Sequence, residues 1–224
     1  MTPDDLLARH DLLGILPPDE RRELLRQVAV RAVAAGQTLF RQGDPGDGLY
    51  GILAGRVVVS VESAEGKELI LNMFAPGDFF GEIALLDGKG RTANAVVREA
   101  GRLIFLPRGE FLPFLERRPA VAARMIALLC DRLRRTTELF EDAALQDVPV
   151  RLAKQLAVLA ERQGIDAGET VAISQAELAL TLGVSREIVS RHLGVWREAG
   201  LVELGRGRIR IRDRAPLYRI VAGG

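Results

Sequence analysis

The chain has 224 residues, 48% hydrophobic and 27% charged, with 31 Lys+Arg against 30 Asp+Glu. That is the composition of a globular protein of one large or two small domains, and it excludes a disordered tail. One cysteine, Cys130, excludes an intrachain disulfide framework, a Cys-rich zinc site and a cysteine-ligated iron–sulfur cluster. No stretch approaches the ~18 consecutive apolar residues of a membrane helix, and Met1-Thr2-Pro3-Asp4-Asp5 lacks the basic flank and apolar run of a signal peptide. A cytoplasmic protein with no membrane partner is expected.

Residues 4–31 read as a short helical lead-in. From Ala35 to Pro107 glycine punctuates short β-branched runs, among them Val57–Val61, Leu69–Leu71 and Arg102–Leu106, which predicts a compact antiparallel barrel or roll. Pro119 to Leu145 has no internal Pro or Gly. Its residues Ile126, Leu129, Leu133, Thr136, Phe140 and Ala143 draw one apolar seam along a helix of about 40 Å. A small domain cannot bury such a length, so a paired helix in a homodimer is expected. Cys130 on that helix reads as a small buried apolar residue.

Pro149 breaks the helix, and Arg151 to Gln163 is amphipathic up to Gly164. Ser174-Gln175-Ala176-Glu177 is a capping-box sequence opening a second helix that runs out at Leu182. Gly183 supplies the turn, and Ser185 caps a third helix to about Ala199. Two short helices joined through a glycine turn predict a helix-turn-helix. Val202–Leu204 and Arg208–Arg212 around Gly205-Arg206-Gly207 predict a β-hairpin wing. Charge follows the same division: Val148 to the end carries 12 Lys+Arg against 8 Asp+Glu, and the first 147 residues carry 19 against 22. A basic segment beside an acidic one hints at nucleic-acid contact by the former.

In such a motif the second helix enters the major groove with its N-terminal side chains at the base edges. Arg186, Glu187, Ser190 and Arg191 are the exposed candidates there. The arginines suit guanine O6/N7, and Glu187 suits cytosine N4 because a carboxylate would repel phosphate. Ser174, Gln175, Ser185 and the wing residues Arg206 and Arg208 suit phosphate contacts, which position without specifying. Trp196 reads as core.

The denser chemistry is Gly81-Glu82-Ile83-Ala84 followed by Gly90-Arg91-Thr92-Ala93. A glycine before a helix start leaves backbone N–H groups for an anion, and Arg91 and Thr92 suit a phosphate. Glu82, acceptor-only when ionised, suits a sugar hydroxyl. With two histidines, no metal-ligand cluster and no paired catalytic carboxylates, an enzyme is not expected.

These residues, with Gly43-Asp44, Leu49–Gly55 and Val184–Arg191, resemble the cyclic AMP receptor and FNR (Crp/Fnr) superfamily of bacterial transcription regulators over essentially the whole chain. The resemblance implies an α+β architecture: a jelly-roll-like antiparallel β-roll that binds cyclic nucleotides (1–118), a dimerisation helix and hinge (119–147), and a C-terminal winged helix-turn-helix (148–224). It implies Glu82 on the ribose 2′-OH, Arg91 and Thr92 on the phosphate, and Gly81, Ile83 and Ala84 offering backbone groups. Thr136 and Thr137 would reach the purine, one from each subunit. It further implies cAMP as allosteric ligand, a pseudo-palindromic DNA operator with TGTGA-like half-sites, and RNA polymerase as partner; surface loops such as 161–170 are open to it, but nothing in their sequence marks the contact. A cGMP-responsive or ligand-independent regulator of the same family is the alternative.

Overall fold

The computed structural model describes residues 1–164 and 170–213, with Ala215 and Ile220 beyond them. The centre of the 161–170 loop therefore lies outside the described residues. Among those described, the chain forms two compact units. One comprises Met1–Ser63 and Leu71–Leu133, the other Ala64–Ile70 and Arg134–Gly224. The units thus share the long helix between them, and the sequence boundaries at 118 and 147 do not coincide with this division.

The lead-in is not one helix. α1 (Pro3–Arg9) starts on a capping box, with Asp5 N–H donating to Thr2 Oγ1 at 3.1 Å and Thr2 N–H to Asp5 Oδ2 at 3.0 Å. The Thr2 hydrogen bonds hold the Asp5 carboxyl below its ordinary range. Pro17 and Pro18 force a new start at α2 (Pro18–Leu25), because proline lacks an N–H and biases its predecessor away from helix. Ala29–Val33, expected to end the helical segment, is strand β1. It pairs antiparallel with β6 in the register Val30↔Ile104 and Val33↔Gly101. A ladder supplied from far along the chain outweighs the helix preference of Ala and Arg.

The roll continues with β2 (Thr38–Phe40), β3 (Gly48–Glu62), β4 (Glu68–Phe74), β5 (Phe79–Phe80) and β6 (Asn94–Pro107). Its main path is β1-β6-β3-β4, with β2 on β6 and β5 on β3. The long β3–β6 ladder shifts register between Ile52 and Val57. There Gly55 adopts φ +89°, and Gly101 passes so close that a Cβ would lie 1.9 Å from the Ala54 carbonyl oxygen. Between β5 and β6 stands α3 (Glu82–Asp87), and α4 (Arg108–Glu116) follows β6. Tyr50, Ile52, Phe80, Val97, Leu103 and Phe105 fill the roll. A second cluster of Leu6, Leu7, Leu13, Phe111, Phe114 and Met125 seals its helical side.

α5 spans Pro119–Leu145. Only Val121 and Met125 of it are fully buried, while Ile126, Leu133, Phe140 and Leu145 are 62–77% exposed. The apolar seam thus lies open on a single chain, as a paired helix requires. Cys130 is also exposed, against expectation, because it flanks the open seam and faces no core.

α6 (Val148–Arg162) takes Pro149 in its first turn, where the missing N–H costs nothing. It is followed by β7 (Thr170–Val171), α7 (Gln175–Leu182), α8 (Arg186–Glu198), β8 (Val202–Gly205) and β9 (Arg208–Ile211). The expected hairpin gains β7 as a third strand, in the order β7-β9-β8. Leu152, Leu156, Leu178, Val189, Leu193, Trp196 and Ile209 are buried. Both halves of the Ser174–Glu177 capping box form, at 3.2 and 2.9 Å. Gly183 ends α7 at φ +65°. Ser174→Ala should therefore lower stability by about 1 kcal/mol, the usual worth of an N-cap, read as a shift in the urea midpoint.

Candidate functional site

Arg91 is the most constrained side chain of the roll. Its backbone is pinned at both ends: Arg91 N–H donates to the Asp44 carbonyl and Gly43 N–H to the Arg91 carbonyl, both at 2.8 Å. The guanidinium, buried to 1% exposure, donates from Nη1 to the Gly81 carbonyl at 2.8 Å. Nη2 donates to Asp47 Oδ1 at 2.7 Å and to the Gly48 carbonyl at 2.9 Å. Its Cζ lies 4.2 Å from the centroid of the Phe40 ring, a cation–π contact. Nε is buried and has no hydrogen-bond partner.

Gly81 is fitted to this neighbour. It caps α3 at φ +86°, and a Cβ there would come within 2.6 Å of Arg91 Nη1. The turn aims the first residues of α3 at the same cavity. Glu82 is 2% exposed, and its Oε2 is in ion-pair contact with Arg132 Nη1 but accepts no aligned hydrogen bond. Arg132 also donates to the Phe79 carbonyl, and its Cζ stands 5.2 Å from the Phe74 ring centroid.

One cavity gathers these groups. Phe40, Val59, Phe74 and Phe80 make its apolar wall, and Gly81, Glu82, Ile83, Ala84, Arg91, Thr92 and Arg132 its polar side. Six sequence-selected residues therefore share it. Ile83 is 43% exposed and Ala84 2%, so these two offer the cavity backbone more than side-chain chemistry. Thr92 is exposed at the rim. Thr136 and Thr137 are exposed on α5, four and five residues beyond Arg132, and are not among the residues lining this cavity.

Two participants escaped sequence reasoning. Arg132 stands one turn before Thr136 on the same helix face, a spacing that could have singled it out. Asp47 carries no such signal, since an acid in a glycine-rich loop is ordinary turn chemistry. His10 packs edge-on against Phe79, ring centroids 4.7 Å apart, and its Nδ1 accepts from Leu12 N–H at 3.1 Å. Burial lowers the His10 pKa from its ordinary 6.5, opposed by Asp11 and Asp78. Among the described residues, no group of three or more His, Cys, Asp or Glu side chains is placed to hold a metal ion.

The second surface lies on α8. Ser185 caps it, accepting from Ile188 N–H at 3.4 Å. Arg186, Glu187, Ser190 and Arg191 share its outer face with Gly194, Val195 and Glu198, opposite buried Val189, Leu193 and Trp196. Hydrogen bonds from the Glu187 backbone and from Ser185 hold the Glu187 carboxyl below its ordinary range. In the wing, Glu203 pairs with Arg210 at 3.5 Å and with Arg212, while Arg206 and Arg208 are exposed. Ser174 and Gln175 open α7, Ser174 being engaged in its capping box.

A roll whose cavity holds buried opposite charges, together with a basic winged helix-turn-helix, defines a ligand-sensing DNA-binding protein. Residues 30–118 match the cyclic nucleotide-binding domain family, and residues 150–220 match the Crp-like helix-turn-helix domain family. The chain is 32% identical over 220 residues to the CRP-like cAMP-activated global transcriptional regulator of Mycobacterium tuberculosis, covering 96% of this chain and 98% of that one. It is 36% identical over 208 residues to the cyclic AMP receptor protein of Thermus thermophilus, covering 93% and 95%. The structure of the c-di-GMP responsive global regulator CLP of Xanthomonas campestris shares the fold, with TM-score 0.78 and 24% identity over 88% of this chain and 100% of that one. The chain belongs to the Crp/Fnr superfamily, as a cyclic-nucleotide-responsive DNA-binding transcription regulator. Its relatives are regulators and not enzymes, and no helix among the described residues is long and apolar enough to cross a membrane.

Removing Arg132 would leave Glu82 buried without a counter-charge. Arg132→Leu should cost about 3 kcal/mol in urea denaturation, and adding Glu82→Gln should recover most of it. For His10, the unfolded chain binds a proton near pH 6.5 and the folded chain only at lower pH. Stability therefore falls as pH drops from about 7 to 5, and His10→Gln should flatten that slope.

Proposed function

We propose that this protein is a homodimeric transcription regulator that binds a pseudo-palindromic operator when cAMP fills the roll cavity. The observation that carries the reading is a single cavity lined by two buried opposite charges, Glu82 and Arg91, with Arg91 Nε left as an unpartnered donor. A cyclic nucleotide offers complementary groups on one molecule: a ribose hydroxyl to donate and a phosphate to accept. Arg91 would hold the phosphate, with Thr92 at the rim and the first N–H groups of α3, from Gly81 to Ala84, facing it. Glu82 would accept from the ribose 2′-OH. The apolar wall of Phe40, Phe74 and Phe80 excludes water, which strengthens both contacts.

The choice of cAMP rests on the relatives from Mycobacterium tuberculosis and Thermus thermophilus, whose descriptions name it, and on Thr136-Thr137 as donors and acceptors for adenine. Thr92 at the cavity favours cGMP as the second reading, since a hydroxyl beside the phosphate-binding arginine can meet guanine. Dimerisation through the open α5 seam would bring a second Thr136-Thr137 pair to each site. Each bound nucleotide would then stabilise one arrangement of the two α8 helices, fitting half-sites about 34–36 Å apart. Coupling of this kind is about 1–3 kcal/mol and reciprocal, so operator DNA should tighten nucleotide binding. In the reading helix, Arg186, Glu187, Ser190 and Arg191 would address a TGTGA-like half-site. Ser174, Gln175, Ser185, Arg206 and Arg208 would hold phosphates. RNA polymerase would be the downstream partner, and the cytoplasm its place of action.

Titration calorimetry with cAMP and cGMP decides the ligand: binding of neither ends this reading, and preference for cGMP replaces its first form with its second. Arg91→Ala should abolish nucleotide-dependent DNA binding and lower the melting temperature of the roll, while the chain remains dimeric in sedimentation. On an operator selected from random duplexes, Arg186→Ala should weaken binding by about 1–3 kcal/mol and relax one base position. An equal loss on unselected DNA would make Arg186 a phosphate contact instead.

A further inference from the structure

The outer face of α8 has a gap. Gly194 sits one turn beyond Ser190 and Arg191, in the interior of a helix that runs to Glu198. Its backbone is not among those with positive φ, so nothing conformational demands glycine there. A Cβ at Gly194 would meet no atom within 4 Å, so no packing inside the chain demands it either. Alanine would be the better helix former on both counts. Gly194 lies in an open hollow along the helix, lined also by Arg186, Glu187, Ser190, Arg191, Val195 and Glu198. Val195 beside it is 59% exposed, which makes it the main apolar side chain on that face.

We infer that the Gly194–Val195 hollow receives the C5-methyl group of a thymine in the operator. The inference rests on α8 being the helix that enters the major groove. Of the groups a DNA duplex presents there, only the thymine methyl is apolar. Gly194 and Val195 are the two residues of its lining with no polar side chain. Its rim sets Glu187 and Glu198 against Arg186 and Arg191, so it offers a phosphate no excess of positive charge. Arg186, Ser190 and Arg191, one to two turns earlier, would address neighbouring base edges by hydrogen bonds, so the face would read one thymine by shape beside bases read by donors and acceptors. Specificity would then extend further along α8 than its arginines reach.

The test uses the full-length chain with cAMP and cGMP both present. A duplex is selected from a random library, and each thymine of a half-site is then replaced in turn by deoxyuridine, which deletes only the methyl. One position should weaken binding by about fourfold, the worth of one buried methyl-sized group. At that position Gly194→Leu, which fills the hollow, should weaken binding to the thymine duplex and erase the difference between thymine and uracil. Gly194→Ala should reduce both effects partially while raising the melting temperature, so a loss of affinity cannot be assigned to unfolding. The inference is overturned if no thymine shows a methyl dependence, or if the dependence persists unchanged in Gly194→Leu. If no duplex is retained at all, the reading of α8 as the DNA helix fails first and this inference falls with it.

Discussion

Burying a guanidinium and a carboxylate in one small roll is the constraint from which the rest of the sensing unit follows. A charge removed from water is costly unless every polar atom near it is answered. Arg91 is answered from two loops at once, through Asp47, Gly48 and Gly81, with an aromatic ring beneath it. That demand closes the 43–48 loop onto the segment before Arg91, forbids a side chain at Gly81, and so fixes where α3 begins. Glu82, next in sequence, is answered by Arg132 of α5, which ties the middle of the long helix to the cavity. Both charges line the same cavity, and Arg91 keeps one buried donor, Nε, without a partner.

On the proposed function, Asp47 would compete with the ligand's phosphate for Arg91. The anion that Arg91 holds here is Asp47, whose side chain is 60% exposed. On that reading, an incoming phosphate would take the unpaired Nε and turn the fork partly away from a carboxylate that water can solvate. Such an exchange of one anion for another would keep the buried cation compensated throughout.

Legibility in the sequence tracks how local the deciding physics is. The bounds of α5, the capping box at Ser174, the Gly183 turn and the Ser185 cap depend on residues within a few positions of one another, and each is readable from the chain. β1 is not, because its conformation is decided by β6 across the sheet. β7 is a two-residue strand set only by its partner β9. In the sensing cavity, Gly81, Glu82, Arg91 and Thr92 stand out because their types are unusual in that spacing. Arg132 is one of 28 arginines, marked in the sequence only by its place one turn before Thr136, and its role emerges from its approach to Glu82. Asp47 is hidden for the same reason. Cys130 misleads because the average cysteine is buried, whereas this one lies on a helix flank that the single chain leaves open.

The basic unit carries a consequence in the chemistry of its cations. From Val148 onward there is a single lysine, Lys154, and its ammonium is held by Asp142 at 2.6 Å on the side of α6. Every other cation there is a guanidinium, including all those on α8 and in the wing. Guanidinium groups stay protonated far above physiological pH, and they are not substrates for acyl transfer to amines. Neither an alkaline shift nor lysine acetylation can therefore discharge this face. The arginine charges are a fixed property of the chain, offset in part by acids such as Glu203 that the chain itself supplies. Control of such a surface has to come from where it is held, not from how strongly it is charged.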